Sequence, residues 1–149
     1  MCNCDSVKRF LLFNQLPLFM HVETLEKAII KSWDRETCYP GCVDEWNPEN
    51  PAWGQCAVTA LVVQDYLGGE LLYCQHNHHY WNRLPNQEEV DFTRIQFPAG
   101  TVVCLDDIKS RDYVLNSESA IKAITPQRHE LLKSRVEQNS IENNGPDRT

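Results

Sequence analysis

The sequence lacks a surplus of basic charge: 14 Lys and Arg stand against 21 Asp and Glu, for a formal charge of −7. Indiscriminate binding to nucleic acid or to an anionic bilayer depends on such a surplus, so neither is an expected partner. Long apolar runs are missing too. The longest, Phe10 to Met20, is broken by Asn14, Gln15 and Pro17 and falls well short of the roughly 20 residues a bilayer crossing needs. No small-residue cleavage site follows it, and a helical pattern continues from Val22 to Trp33, so it does not read as an export signal. A cytoplasmic protein is expected. An even set of cysteines is also absent, since there are 7; a disulfide framework wants pairs and export, so reduced thiols are expected. Repeats are absent, and low complexity is confined to the polar tail.

What is present suits one closed core. A chain of 149 residues with 42% apolar and 23% charged positions has the length and composition of a single domain. It divides into a loosely attached arm (1–21), a core (22–138) and a flexible tail (139–149). Apolar residues at 22, 25, 28, 29 and 33 keep the 3.6-residue period of an amphipathic helix. Asp34 to Trp53, with prolines at 40, 48 and 51, reads as a long irregular loop of the kind that often carries function. Ala57 to Leu67 is apolar on most sides and ends at Gly68-Gly69, so it predicts a buried helix with a left-handed cap. Strand patterns follow at Glu70–Cys74, His78–Leu84, Glu89–Thr93 and Thr101–Leu105, which together predict an antiparallel meander. Two helical patterns, Ser117–Ile124 and Pro126–Gln138, with Thr125 as N-cap of the second, close the chain. The fold class is α+β.

Cys56 stands apart from the other cysteines, because it ends the loop Trp53-Gly54-Gln55-Cys56 directly before the apolar helix. A sulfur at a helix N-terminus meets unpaired N–H groups and the positive end of the macrodipole, which favour thiolate over thiol. The alternative is a buried structural thiol. A cysteine nucleophile needs a base beside it and an acceptor that orients the base. His79 and Asp91 can supply these from the two strands flanking the turn at Leu84–Gln87. A hairpin centred on Pro85 sets them directly opposite, one centred on Asn86 makes them diagonal neighbours, and an even-length turn puts them on opposite faces. Trp81 shares the face of His79 and would shield its ring. Cys74 and Cys104 fall in strand-like runs and read as small buried residues, and Cys2 and Cys4 lie near the start of the chain. Cys38 and Cys42 flank a turn and could bridge or form half a metal site. Cys74, His76 and His78 alternate as the three ligands of a possible zinc site.

These segments carry a resemblance. Trp53-Gly54-Gln55-Cys56-Ala57-Val58, His79-Tyr80-Trp81-Asn82 and Asp91-Phe92-Thr93 resemble, in that order, the nucleophile, histidine and aspartate segments of the transglutaminase-like superfamily. More closely, the run from Asn50-Pro51-Ala52-Trp53 through Gly68-Gly69 to Gln96-Phe97 is similar to the bacterial YunG-like proteins, over roughly residues 24–136. The superfamily resemblance implies a papain-like core, with N-terminal helices and a buried cysteine-bearing helix packed on an antiparallel sheet. It also implies acyl transfer from an amide through a thioester, with Cys56 as nucleophile, His79 as general acid and base, and Asp91 as orienter. The interval from Cys56 to His79 is shorter than in full-size transglutaminases, and no acidic loop reads as a calcium site.

The expected function is thiol-dependent acyl transfer or hydrolysis by an amidase, peptidase, deamidase or transglutaminase-like enzyme acting on a peptide or small amide, with no metal or cofactor. The backbone N–H of Cys56 is one oxyanion donor by position, and Asn50, Gln55 or Trp46 could supply the second. Gln55 reads equally as a loop residue capping backbone groups. Trp46 and Trp53 read as lid or packing residues, and Asn82 and Thr93 either buttress the sheet or support His79 and Asp91. The alternatives are a papain-like binding module without turnover and a zinc protein using Cys74, His76 and His78. Oligomeric state is not legible.

Overall fold

The computed structural model describes residues 20–142; the expected N-terminal arm with Cys2 and Cys4, and the last residues of the tail, lie outside them. Helix α1, Val22–Ser32, buries Leu25, Ala28 and Ile29 on one face, the stripe that the 3.6-residue period predicts. The loop from 33 to 55 follows, with a single 3-10 turn at Pro40–Cys42. Helix α2, Cys56–Leu67, buries every residue from Val58 to Val63, because it lies between two layers. One side meets Leu25, Ile29, Leu132 and Val136 of the flanking helices, and the other meets Leu71 and Val114. Gly68 closes α2 at φ 72°, and Gly69 follows at φ 87°. A Cβ on Gly69 would stand 2.1 Å from the Arg83 carbonyl oxygen, so only glycine lets the helix turn straight into the sheet.

The sheet contains β1 (Glu70–Cys74), β2 (His79–Arg83), β3 (Glu89–Val90) and β4 (Asp107–Lys109), in the order β3-β2-β1-β4 and antiparallel throughout. The first two strands fall where the alternation of the sequence puts them. The fourth corrects the expected meander. Thr101–Leu105 forms no strand, and Val102 and Cys104 are exposed there. The chain instead crosses to the free edge of β1, where the Asp106 N–H donates to Tyr73 O (2.9 Å) and the Gln75 N–H donates to the Asp106 carboxylate (2.7 Å). β3 ends at Val90 rather than Thr93 because the Arg94 N–H donates to Asp91 O and turns the backbone into a 3-10 segment, Arg94–Gln96.

Three helices follow: α3 (Arg111–Asn116), α4 (Glu118–Lys122) and α5 (Thr125–Glu142). The sequence reading contains no α3, a two-turn helix capped by the Ser110 hydroxyl. α5 continues past the expected boundary at Gln138 and packs Leu132 and Val136 into the core. Among the described residues no helix is long and apolar enough to cross a membrane.

Asn82 fastens helix to sheet: its buried Nδ2 donates to Ala60 O of α2 at 2.9 Å. Asn82→Ala removes that bond and leaves a small void, so a loss of about 1–2 kcal/mol is expected, read as a lower urea midpoint at unchanged m-value.

Candidate functional site

The N-terminus of α2 is set by the loop packed beneath it. Gly54 adopts φ 73° and accepts the Tyr39 N–H at 2.8 Å. A Cβ there would stand 2.6 Å from Cys38 Sγ and 3.1 Å from Cys42 Cβ, so glycine alone allows the two loop segments to close. Cys56 is then the first helical residue, with its N–H among those a helix leaves without an intrahelical partner. Its thiol donates to His78 O at 3.8 Å.

The hairpin delivers the histidine. The pairs Asn82–Val90 and Arg83–Glu89 sum to 172, which centres the turn on Asn86. Residue Gln87 takes the left-handed position at φ 74°, as three-residue hairpin loops require. In that register Asp91 is the diagonal neighbour of His79 on the same face. The His79 Nε2–H donates to Asp91 Oδ2 at 2.7 Å, with the ring wholly buried and the carboxylate only 16% exposed. The Thr93 hydroxyl donates to the other carboxylate oxygen at 3.4 Å.

The imidazole is held on three further sides. Trp81 stacks on it at 5.8 Å and anchors its own Nε1 on Glu89, Phe97 meets it edge-on at 4.9 Å, and Gln96 Nε2 lies 3.3 Å from Nδ1. Burial, the largest single influence, opposes the charged ring. The hydrogen bond to the Asp91 carboxylate, then the nearby Cys56, and the charges of both outweigh it and raise the ring from 6.5 to about 9. His79 and Asp91 are therefore brought together, with Cys56 near enough to act on the ring's proton affinity.

The side-chain donors proposed for an oxyanion are engaged elsewhere. Asn50 Nδ2 donates to Gln96 O (3.3 Å), Gln55 Nε2 to Asp34 O (2.9 Å) and Trp46 Nε1 to Pro51 O (3.1 Å). Gln55 is fully buried and ties the loop to the end of α1. Trp53 Nε1, by contrast, is buried without an acceptor, and its side chain lines a cavity of about 530 Å³ that runs over Cys56.

The metal alternatives do not assemble. Cys74 ends β1 and is buried, its thiol donating to Asn77 Oδ1 at 3.2 Å, and the chain then turns, so that His78 sits at φ 48° with Nδ1 3.1 Å from the Tyr73 hydroxyl. The alternation assumed for Cys74, His76 and His78 ends with the strand. Among the described residues no group of three or more His, Cys, Asp or Glu could hold a metal ion. Cys38 and Cys42 are free thiols rather than a bridge. Burial pushes the Cys38 thiol up to about 11, and it donates to Trp53 O at 3.3 Å; burial also raises Cys42. Sequence reasoning assigned no role to Gln96, Phe97 or Arg128, all three of which line the cavity. For Gln96 and Phe97 the only signal was their place at the end of the quoted motif run.

A model of the YunG protein family matches residues 21–140. A relative from Bacillus subtilis (strain 168), named uncharacterized protein YunG, is 35% identical over 80 residues, which cover 52% of this chain and 64% of the relative. The match thus spans a little under two thirds of that relative's length. No solved structure matches.

Proposed function

The chain belongs to the YunG family, and from that premise and the site geometry we propose that it is a thiol-dependent acyl-transfer enzyme acting on amides of peptides or small molecules. The transglutaminase-like, papain-like core is part of the same proposal. The observation that carries it is the fully buried His79 ring, bonded to Asp91 at Nε2 and raised in proton affinity in part by Cys56. Free thiols at Cys38, Cys42, Cys56 and Cys74 suit a reducing, cytoplasmic setting.

In this reading His79 holds the proton and Cys56 is the thiolate. The sulfur attacks the amide carbonyl carbon, a C–S bond forms, and the C=O π pair moves onto oxygen. One donor is free to receive that oxyanion by position, the first-turn N–H of Cys56. The oxyanion re-forms the carbonyl, His79 gives its proton to the departing amine nitrogen, and the C–N bond breaks to leave a thioester. Water or an amine then attacks, His79 takes up its proton, and the C–S bond breaks to restore the thiolate. Asp91 accepts from Nε2 and holds the ring in place. Thr93 braces Asp91, and Trp81 keeps water from the imidazole.

The test is an acyl-enzyme trap. With p-nitrophenyl acetate the protein should release a burst of p-nitrophenolate and carry one acetyl group on the peptide containing Cys56, and Cys56→Ser should abolish both. Acetylation spread over all the cysteines, or a burst that survives in Cys56→Ser, would leave a binding module as the better reading.

A further inference from the structure

The cavity over Cys56 has an unusual charge balance. The chain holds 21 acidic residues, yet none of them lines this cavity, whose wall instead contains Arg128. Arg128 is only 3% exposed. Its Nε donates to Ala123 O at 2.9 Å, Nη1 to Thr37 O at 3.1 Å and Nη2 to Thr125 Oγ1 at 3.3 Å. The Tyr39 ring, at the rim of the cavity, lies 5.9 Å from its central carbon. All of these partners are neutral. Among the described residues no carboxylate comes within ion-pair distance of this guanidinium. A guanidinium has five N–H donors, so two remain unused. A buried cation left without a counter-charge is costly, and native interiors pair it or supply an anion.

We propose that Arg128 is a carboxylate-recognition residue, and that the amide attacked by Cys56 carries a free carboxylate within a few bonds of its carbonyl, as an N-acyl amino acid or a peptide C-terminus does. A planar fork with two free N–H groups matches a carboxylate in charge and shape. The aromatic rings of Tyr39, Tyr80 and Phe97 on the same cavity suit the apolar remainder of such a ligand. The inference rests on the acyl-transfer reading of Cys56, and it deepens that reading by naming a substrate class.

Two alkylating agents that differ only in charge test it on the native protein. Iodoacetate carries the carboxylate and iodoacetamide does not. The ratio of their rate constants at Cys56 should exceed the ratio at exposed Cys104 by at least about tenfold. Arg128→Met should bring the ratio down to the Cys104 value, and Arg128→Lys should retain part of the preference. Millimolar N-acetylglycine should protect Cys56, and neutral N-acetylglycinamide should not. Equal ratios at the two cysteines in the native protein overturn the proposal, with no need for a folded variant. Equal slowing of both reagents in Arg128→Met also overturns it, because the guanidinium then serves the thiolate alone. If Cys56 takes up neither reagent, the acyl-transfer reading fails by itself. The thermal midpoint then decides the subsite: a rise with N-acetylglycine but not with its amide upholds Arg128 as a carboxylate site, and no rise removes it.

Discussion

Replacing His79 with alanine is expected to slow iodoacetamide alkylation of Cys56 at pH 6 by roughly ten- to a hundredfold, while exposed Cys104 keeps its rate. An ordinary thiol, with a pKa near 8.5, is only about 0.3% ionised at pH 6. A sulfur held ionised by a neighbouring imidazolium therefore has about two orders of magnitude of nucleophile to lose when that charge is removed. Part of the loss is offset, because a more basic thiolate is intrinsically more nucleophilic, with a Brønsted coefficient of about 0.4–0.5. The His79 ring fills a fully buried space between Trp81 and Phe97, so the alanine variant also loses packing and its folding must be checked by circular dichroism. Asp91→Asn gives an independent reading. It leaves the ring in place but removes the charge 2.7 Å from Nε2, and an intermediate slowing is expected. Peptide-level mass spectrometry of timed quenches gives each rate. Unchanged labelling of Cys56 in both variants would remove His79 from the chemistry.

The pairing of His79 with Asp91 depends on parity, and the sequence alone leaves open whether the turn is odd or even. Side chains alternate along a strand, and an odd turn at Leu84–Gln87 leaves residues 79 and 91 on one face whichever of its two possible centres is chosen. The turn centred on Asn86 makes them diagonal rather than opposite, a distance a carboxylate and an imidazole span easily. The start of α2 is legible to within one residue for a local reason, since a loop with Pro51 and Gly54 gives way at Cys56 to a mostly apolar run. The rest of the site depends on contacts distant in sequence. Gln96 and Phe97 reach the ring only because Asp91 O turns the chain back at Arg94, and nothing in the alternation of Glu89–Thr93 forecasts that turn. Arg128 reads as an ordinary helix residue, and its burial follows from the loop carbonyl of Thr37 that meets it across the fold. The fourth strand escaped for a related reason: Thr101–Leu105 carries the alternation of a strand, but the free edge of β1 is reached only by Asp107–Lys109. Local pattern locates an element, and pairing partners decide whether it is used.

The same imidazole makes the fold sensitive to pH in a window of its own. The His79 pKa is raised from 6.5 to about 9 in the folded protein, so the folded state binds the proton more tightly than the unfolded chain does. Stability from this group is fully present below pH 6.5 and is lost as pH rises through about 9. At 1.36 kcal/mol per unit the loss is at most about 3 kcal/mol. Thiols and phenols pushed upward by burial act later, among them Cys38, raised from 9.0 to about 11, and Tyr66, raised from 10.0 to about 12; they cost stability only as their unfolded forms ionise, near pH 9 and above. A Cys56 thiolate beside the charged ring leaves the folded and unfolded chains with one proton apiece on this pair, so the fall is exposed by removing the sulfur: urea unfolding of Cys56→Ala, followed by tryptophan fluorescence, should show a falling midpoint as pH rises from 6.5 toward 9. Adding Asp91→Asn to Cys56→Ala removes the strongest influence raising the ring and leaves burial, which lowers it, so the fall in that window should largely vanish. The native protein, in which the proposed thiolate offsets the proton held by His79, should show a smaller fall than Cys56→Ala. A midpoint that stays level from pH 6.5 to 9 in Cys56→Ala would mean that Asp91 lends the ring no proton affinity on folding, and with it would go the orienting bond on which the proposed acyl transfer depends.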